Sequence, residues 1–300
     1  GMLWKNGFMY SHTSSPPCVT SIMRPLIASM VRVLPFGSRC TQPMIGLKNV
    51  HLCVSTYCQT MSPVLGSISI AREWSGWAGL DEFGSAVSSA GDVNRDGTPD
   101  ILIGAYRADF GGGGSGRAIV VSGANWNLLY TYDGGAAKDF FGYAVTNIGR
   151  VDGDNRDDFA ITGIEYDFGA IFPGNGVGYV KVYSGATGAE IYHLSGAANG
   201  DYFGASISGP GDINHDGSDD ILVGSYGVDT NGNNSGKVLL YSGADGSLLN
   251  SWLGDTAGDK LGISVHGAGD VDNDGTPDII AGAHHSDVNG ANCGSARVYS

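Results

Sequence analysis

The stretch "GDVNRDGTPDILIGA" at 91–105 returns as "GDINHDGSDDILVGS" at 211–225 and "GDVDNDGTPDIIAGA" at 269–283, with a degraded copy, "GRVDGDNRDDFAITG", at 149–163. Phe83-Gly84, Phe141-Gly142, Phe203-Gly204 and Leu261-Gly262 precede the four copies, at spacings of 58, 62 and 58 residues. A period of this length restricts the chain to a repeat architecture, in which each unit buries its apolar face only by stacking on its neighbours.

Each period holds four strand-like runs. The first follows the Phe-Gly pair and the second, of the "DILIGA" type, follows the acidic loop. The third is "GRAIVVSG", "GYVKVYSG", "GKVLLYSG" or "GSARVYS", and the fourth follows a glycine-containing turn, as in "GAEIYHLSG". No window sustains a 3.6-residue apolar period over three turns, so helices are expected to be nearly absent. With 50 glycines in 300 residues and no Gly-X-Y period, the composition suits short strands joined by tight turns. Four short antiparallel strands per period predict an all-β fold, a β-propeller of four-stranded blades beginning near 83, 141, 203 and 261. The run "GSISIAREWSG" (66–76) reads as a fourth strand with no blade before it, while the sequence stops at "RVYS" where another fourth strand is due. The 66–76 run either completes the last blade of a four-bladed ring or belongs to a larger propeller of which this is a fragment; the second reading is the expectation here.

The acidic loops ask for a compensating charge. Oxygens at positions 1, 3 and 5 of a curling loop converge on one point, glycine at position 6 permits the sharp turn, position 7 offers a carbonyl, and a last carboxylate returns at position 9. Hard oxygens without His or Cys select Ca²⁺. The expected ligands are Asp92, Asn94, Asp96, the Thr98 carbonyl and Asp100 in the first loop. They are Asp212, Asn214, Asp216, the Ser218 carbonyl and Asp220 in the third, and Asp270, Asp272, Asp274, the Thr276 carbonyl and Asp278 in the fourth. With four ligating carboxylates against three, the fourth loop is expected to bind most tightly. In the second loop Arg150 stands at position 1 and Asn155 replaces the glycine, leaving Asp152, Asp154 and Asp158 as a weaker site. There the guanidinium is expected to stand in for the ion. The competing explanation is that these are Asx turns without an ion, which three near-identical copies in register disfavour.

Charge divides the chain. The formal net charge is −14, yet residues 1–72 carry six Lys/Arg and no acid, leaving all 30 acids against ten basic residues in 73–300. An acidic repeat region argues against nucleic acid and suits cations. Residues 1–65 form an unassigned segment, expected to be poorly ordered; its apolar run 21–37 is broken by Arg24, Arg32 and two prolines, which excludes a membrane span. Cys18, Cys40, Cys53 and Cys58 lack zinc-type spacing.

Together, the Phe-Gly pair, the D-x-[DN]-x-D-G-x-x-D loop and the "ILIGA"-type strand resemble FG-GAP repeats over about 68–300. Such repeats build the propeller head of integrin alpha chains and occur in many secreted or surface proteins. The chain departs from the pattern in reading "GAY", "TGI", "GSY" and "GAH" where the family has "GAP", and in Leu261 replacing Phe. The resemblance implies a propeller usually closed by seven blades, an extracellular or cell-surface location, and adhesion or ligand binding as the role.

No nucleophile elbow or metalloprotease motif is present, and "GGGGSG" (111–116) joins two strands, so it is no dinucleotide site. The chain is therefore read as non-catalytic. Loops between second and third strands (106–116, 164–178, 226–236, 284–294) carry Asp109, Asp167, Asp229 and Asp287 at a fixed offset, read as loop-shaping Asx turns. By resemblance to the integrin head, these loops form the face for a protein or glycan ligand, with Tyr106, Tyr166, Phe168, Phe172, Tyr226 and His284 at their tips. Rival readings are an accessory propeller of a secreted enzyme and a structural array in a large surface protein.

Overall fold

The computed structural model describes residues 2–5, 8–11, 70–165 and 176–300. The chain divides into two compact units, Gly1–Ile70 and Ala71–Ser300. In the first, β1 (Met2–Lys5) and β2 (Phe8–Ser11) pair as an antiparallel hairpin, Met2 opposite Ser11. The four early cysteines and the apolar run at 21–37 lie outside the described residues.

The second unit is the repeat region. Blade 1 contains β3 (Ala86–Gly91), β4 (Asp100–Ala105), β5 (Arg117–Val121) and β6 (Leu128–Asp133). Blade 2 contains β7 (Val145–Gly149), β8 (Asp158–Gly163), β9 (Tyr179–Tyr183) and β10 (Glu190–Ser195). Blade 3 contains β11 (Ser206–Gly211), β12 (Asp220–Ser225), β13 (Lys237–Tyr241) and β14 (Leu248–Leu253). Blade 4 has β15 (Ser264–Gly269), β16 (Asp278–Ala283) and β17 (Ser295–Tyr299). All pairing is antiparallel between sequence neighbours, as expected for about four propeller blades. Among the described residues there is no helix, and so none long and apolar enough to cross a membrane.

The strand expected at 66–76 lies partly outside the described residues; its described part, 70–76, forms no strand, and the last sheet has three strands. Instead Trp74 packs beside Phe83 on the Ile103, Ile119 and Val121 face of blade 1.

Period-2 alternation explains the stacking. Leu102, Ala118 and Val120 leave one face of blade 1 to meet Phe141, Val145, Phe159 and Ile161 of blade 2. Blade 2 meets blade 3 through Val180, Val182, Phe203 and Ile221, and blade 3 meets blade 4 through Leu222, Val238, Leu261 and Ile279. The second strands are therefore covered on both faces, which is why they read as continuous apolar runs. Phe141, Phe203 and the substituted Leu261 are all fully buried between blades.

The Phe-Gly pair also staples the backbone. Phe141, Phe203 and Leu261 donate their N–H groups to Ser115, Val177 and Ser235 of the preceding blade. The glycines beside them, Gly142, Gly204 and Gly262, donate to Thr162, Gly224 and Gly282 in their own second strands. At two of these junctions a second-strand glycine of the preceding blade lies against the corner: a Cβ on Gly104 would collide with the Gly142 carbonyl oxygen, and one on Gly224 with that of Gly262. We expect Gly224→Ala to lower the stability of the full chain by more than about 2 kcal/mol, because backbone rather than a movable side chain must yield. Gly282→Ala, at the same strand position, meets only the side chain of Ser264 at close range and should cost less. Urea unfolding of the two variants makes the comparison.

Candidate metal centres

Antiparallel sheets send alternate connections to opposite ends. The acidic loops, between first and second strands, share an end with the turns between third and fourth strands; the loops between second and third strands lie at the other. A β-bulge ends each first strand just before the acidic loop, at Gly91, Gly149, Gly211 and Gly269. Position 6 takes left-handed φ values of +86° at Gly97 and +96° at Gly217 and Gly275, and Asn155 adopts +64° in the second loop. Asparagine is among the few residues that tolerate this region. Position 4 is left-handed too, at Arg95, Gly153, His215 and Asn273. That feature is invisible in the sequence, because only one of the four is glycine.

Inside the loop, backbone N–H groups are drawn onto the expected ligands. Asp92 accepts from Asp96 and Gly97 at 3.0 and 2.9 Å, Asn94 accepts from Asp96 at 2.9 Å, and Asp96 accepts from Thr98 at 3.0 Å. Asp212, Asn214 and Asp216 repeat the pattern in the third loop, and Asp270, Asp272 and Asp274 in the fourth. The serine after the third strand also reaches in, Ser122 donating to Asp96 and Ser242 to Asp216. The Asn214 amide, the Ser218 N–H and the Ser242 hydroxyl hold the Asp216 carboxyl below its ordinary range. At Asp96 burial pushes upward, but the Asn94, Thr98 and Ser122 donors outweigh it and the carboxyl is again lowered.

Position 9 has a second task. The carboxylates of Asp100, Asp158 and Asp220 are buried, each taking one N–H from position 2 and one from the glycine after the third strand. For Asp220 these are Ile213 at 2.9 Å and Gly243 at 3.2 Å, with a longer bond from Asn214. Burial raises all three carboxyls, Asp158 to about 6, against the lowering by these amides. In blade 4 one oxygen of Asp278 accepts the Val271 N–H at 2.7 Å, and the other is buried without a partner among the described residues.

The donor set fits a hard divalent cation. Oxygens of Asp270, Asp272 and Asp278 lie within 4.8 Å of one another, as do those of Asp152, Asp154 and Asp158. Ligands at about 2.3–2.6 Å from one Ca²⁺ are separated by no more than about twice that distance, so each trio can share an ion. The second loop, expected to be the weakest, thus gathers three carboxylates. Its Arg150 does not stand in for an ion among them, since the ion pair it forms is with Asp157, at 3.6 Å.

At the opposite end, Asp109, Asp229 and Asp287 accept N–H groups five residues on, from Gly114, Asn234 and Asn292, as loop-shaping turns should. Tyr106 is half-buried, edge-on to Phe140 and Tyr143 of the next blade, and Tyr226 is half-buried and stacks on Tyr202 at 4.8 Å. Neither is the exposed tip that its place in the sequence suggests. His284 is exposed and lies against His285, with ring centroids 3.9 Å apart. Tyr166, Asp167, Phe168 and Phe172 lie outside the described residues.

The FG-GAP repeat family matches residues 83–121 and 203–241. The chain is 31% identical to chicken integrin alpha-V over 212 residues, 67% of this chain and 20% of that protein. It is 29% identical to Xenopus laevis integrin alpha-5 over 220 residues, covering 69% and 20%. The chain thus spans about a fifth of these relatives' length. Among solved structures it is similar to rhamnogalacturonan lyase YesW, with 18% identity, a TM-score of 0.43, and coverage of 71% of this chain and 41% of that one.

If position 9 staples the blade as well as facing the ion, its loss matters without any ion. Asp220→Ala should lower stability by about 2–4 kcal/mol in excess EDTA, since it strands the buried amides that it now satisfies. Asp216→Ala, whose carboxylate is exposed, should cost distinctly less under the same conditions. Denaturant titration of both variants in EDTA is the check.

Proposed function

We propose, from the premise that this chain is an FG-GAP repeat protein of the integrin alpha type, that it is a calcium-binding propeller module for adhesion or ligand binding, without catalysis of its own. The observation that carries the reading is the acidic loop, repeated in register at one end of every blade: its carboxylates accept the loop's own N–H groups in blades 1, 3 and 4, and three carboxylates lie within 4.8 Å of one another in blades 2 and 4.

The ion ligands in this reading are those of the four loops: Asp92, Asn94, Asp96, the Thr98 carbonyl and Asp100; Asp152, Asp154 and Asp158; Asp212, Asn214, Asp216, the Ser218 carbonyl and Asp220; Asp270, Asp272, Asp274, the Thr276 carbonyl and Asp278. Bound Ca²⁺ supplies positive charge that offsets the clustered carboxylates and rigidifies one end of each blade. The chain's own residues shape the cage: position 6 turns the loop, and position 9 ties it to the neighbouring turn. The ion's task is structural, because protein oxygens fill the coordination.

The protein or glycan ligand is assigned to the other end of the blades, on the loops between second and third strands, around His284 and the segment containing Tyr166, Phe168 and Phe172. Rigid blades presenting such loops are a common arrangement for binding. The location that goes with this role is extracellular or at the cell surface, where millimolar Ca²⁺ is available.

Thermal unfolding of the full chain across a Ca²⁺ series tests the ion reading. A native-state ligand at a hundredfold excess over its dissociation constant adds about 2.7 kcal/mol, so the melting temperature should climb with concentration. The climb should be blunted in the Asp270→Ala, Asp274→Ala double variant. An unchanged melting temperature at millimolar Ca²⁺ would mean that the loops are ion-free Asx turns. For the adhesive role, a surface coated with the chain should retain cells in Ca²⁺ and release them in EDTA; no retention in either condition counts against it.

A further inference from the structure

Position 8 of the acidic loop behaves differently from blade to blade. It is Pro99 and Pro277 in the first and fourth loops, but Asp157 and Asp219 in the second and third. Neither aspartate belongs to its own loop's ligand set. Each reaches across to the preceding blade, where Asp157 Oδ2 accepts the Asp92 N–H at 3.1 Å and Asp219 Oδ2 accepts the Arg150 N–H at 2.8 Å. Asp92 and Arg150 are the position-1 residues of those loops. Other bonds run alongside. Arg156 donates to the Val93 carbonyl at 2.8 Å, and the Asp219 N–H donates to the Arg150 carbonyl at 3.0 Å.

The approach is tight. A Cβ on Gly91 would collide with the Asp157 side chain, and one on Gly149 with that of Asp219. Gly91 follows a β-bulge and has φ +74°, so the chain enters the first loop through a residue with wide backbone freedom. The Asp92 carboxylate departs from the very next residue. Fixing the Asp92 N–H therefore fixes where that carboxylate points. The third loop has the same five ligand types but no such anchor: the Pro277 side chain of the next loop lies over Gly211 and has no acceptor atom.

We propose that Asp157 is a positioning residue for the ion site of the preceding blade: it seats Asp92, the first ligand of loop 1, from within loop 2. The inference rests on the ion-binding reading above and adds a link between neighbouring loops. Its consequence is that loop 1 takes up Ca²⁺ at a concentration set partly by a residue of the next repeat, whereas loop 3 has no such seat on its first ligand, its side-chain contact with the next loop running instead from His215 to Thr276 at 3.3 Å.

Hydrogen exchange followed by mass spectrometry on the full chain, titrated with Ca²⁺, resolves the loops separately through peptides spanning 91–101 and 211–221. In Asp157→Ala the Ca²⁺ concentration giving half-protection of the first peptide should rise about two- to tenfold, the range that one hydrogen bond is worth. The second peptide should keep its midpoint. Asp157→Asn retains an oxygen acceptor and should restore the first midpoint to near the wild-type value. An unchanged first midpoint in Asp157→Ala overturns the seat, and an equal shift of both peptides overturns it too, by making the effect global. An Asn variant as weak as the Ala variant shows that the negative charge, not the anchor, matters, and overturns the positioning role. No Ca²⁺-dependent protection of either loop in the wild type overturns the ion reading itself, and the seat with it.

Discussion

Close backbone contact between successive blades is the constraint on which the rest of this structure depends. At each junction the Phe-Gly corner hands one N–H to the preceding blade and the next to its own second strand. At the junctions after blades 1 and 3 a second-strand glycine, Gly104 or Gly224, lies where no Cβ fits beside that corner, while blade 2 has Thr162 there. This contact sets the spacing at which Leu102, Val120 and their counterparts interdigitate with Phe141, Phe159 and theirs. Once the blades are stacked, the second strands of blades 2 and 3 are buried along their whole length, and the acidic loops of blades 1 and 2 are brought beside the loop of the next blade.

The electrostatics at the loop end follow from that stacking. A carboxylate at position 9 has to be buried, because it opens the second strand at the blade junction, and burial, with a smaller push from the nearby position-5 carboxylate, raises it. Backbone N–H groups from two separate turns hold it in place. The carboxylates at positions 1 to 5 stay nearer to solvent, gathered by the loop's own amides and left able to converge on a cation. One loop therefore contains two kinds of aspartate: a buried staple and a set of exposed candidate ligands. The same position-9 hydrogen bonds that shape the loop also close the blade.

The opposite end answers to different demands. Its loops are shaped by aspartates that cap their own backbone, and its aromatic residues are partly consumed by packing: Tyr106 leans on the next blade and Tyr226 on Tyr202.

The sequence by itself determined the repeat, the four-strand unit, the all-β class and the candidate ligands, because each is written in local spacing. Period-2 alternation makes strands, glycine at position 6 makes the loop curl, and a Phe-Gly pair every sixty residues marks the blade. Only the tertiary structure decided what those units do to one another. Residues 71–76, expected as the end of a strand, form none, and Trp74 packs on the face of blade 1 instead. Arg150 turns to Asp157 rather than to the three carboxylates of its loop. Asp157 and Asp219, which look like variations at an idle position, reach the preceding blade because its first strand ends in a glycine that leaves room. Such contacts join residues about sixty-five apart, and no local pattern records them: they exist only because stacking brings one repeat's loop against another's.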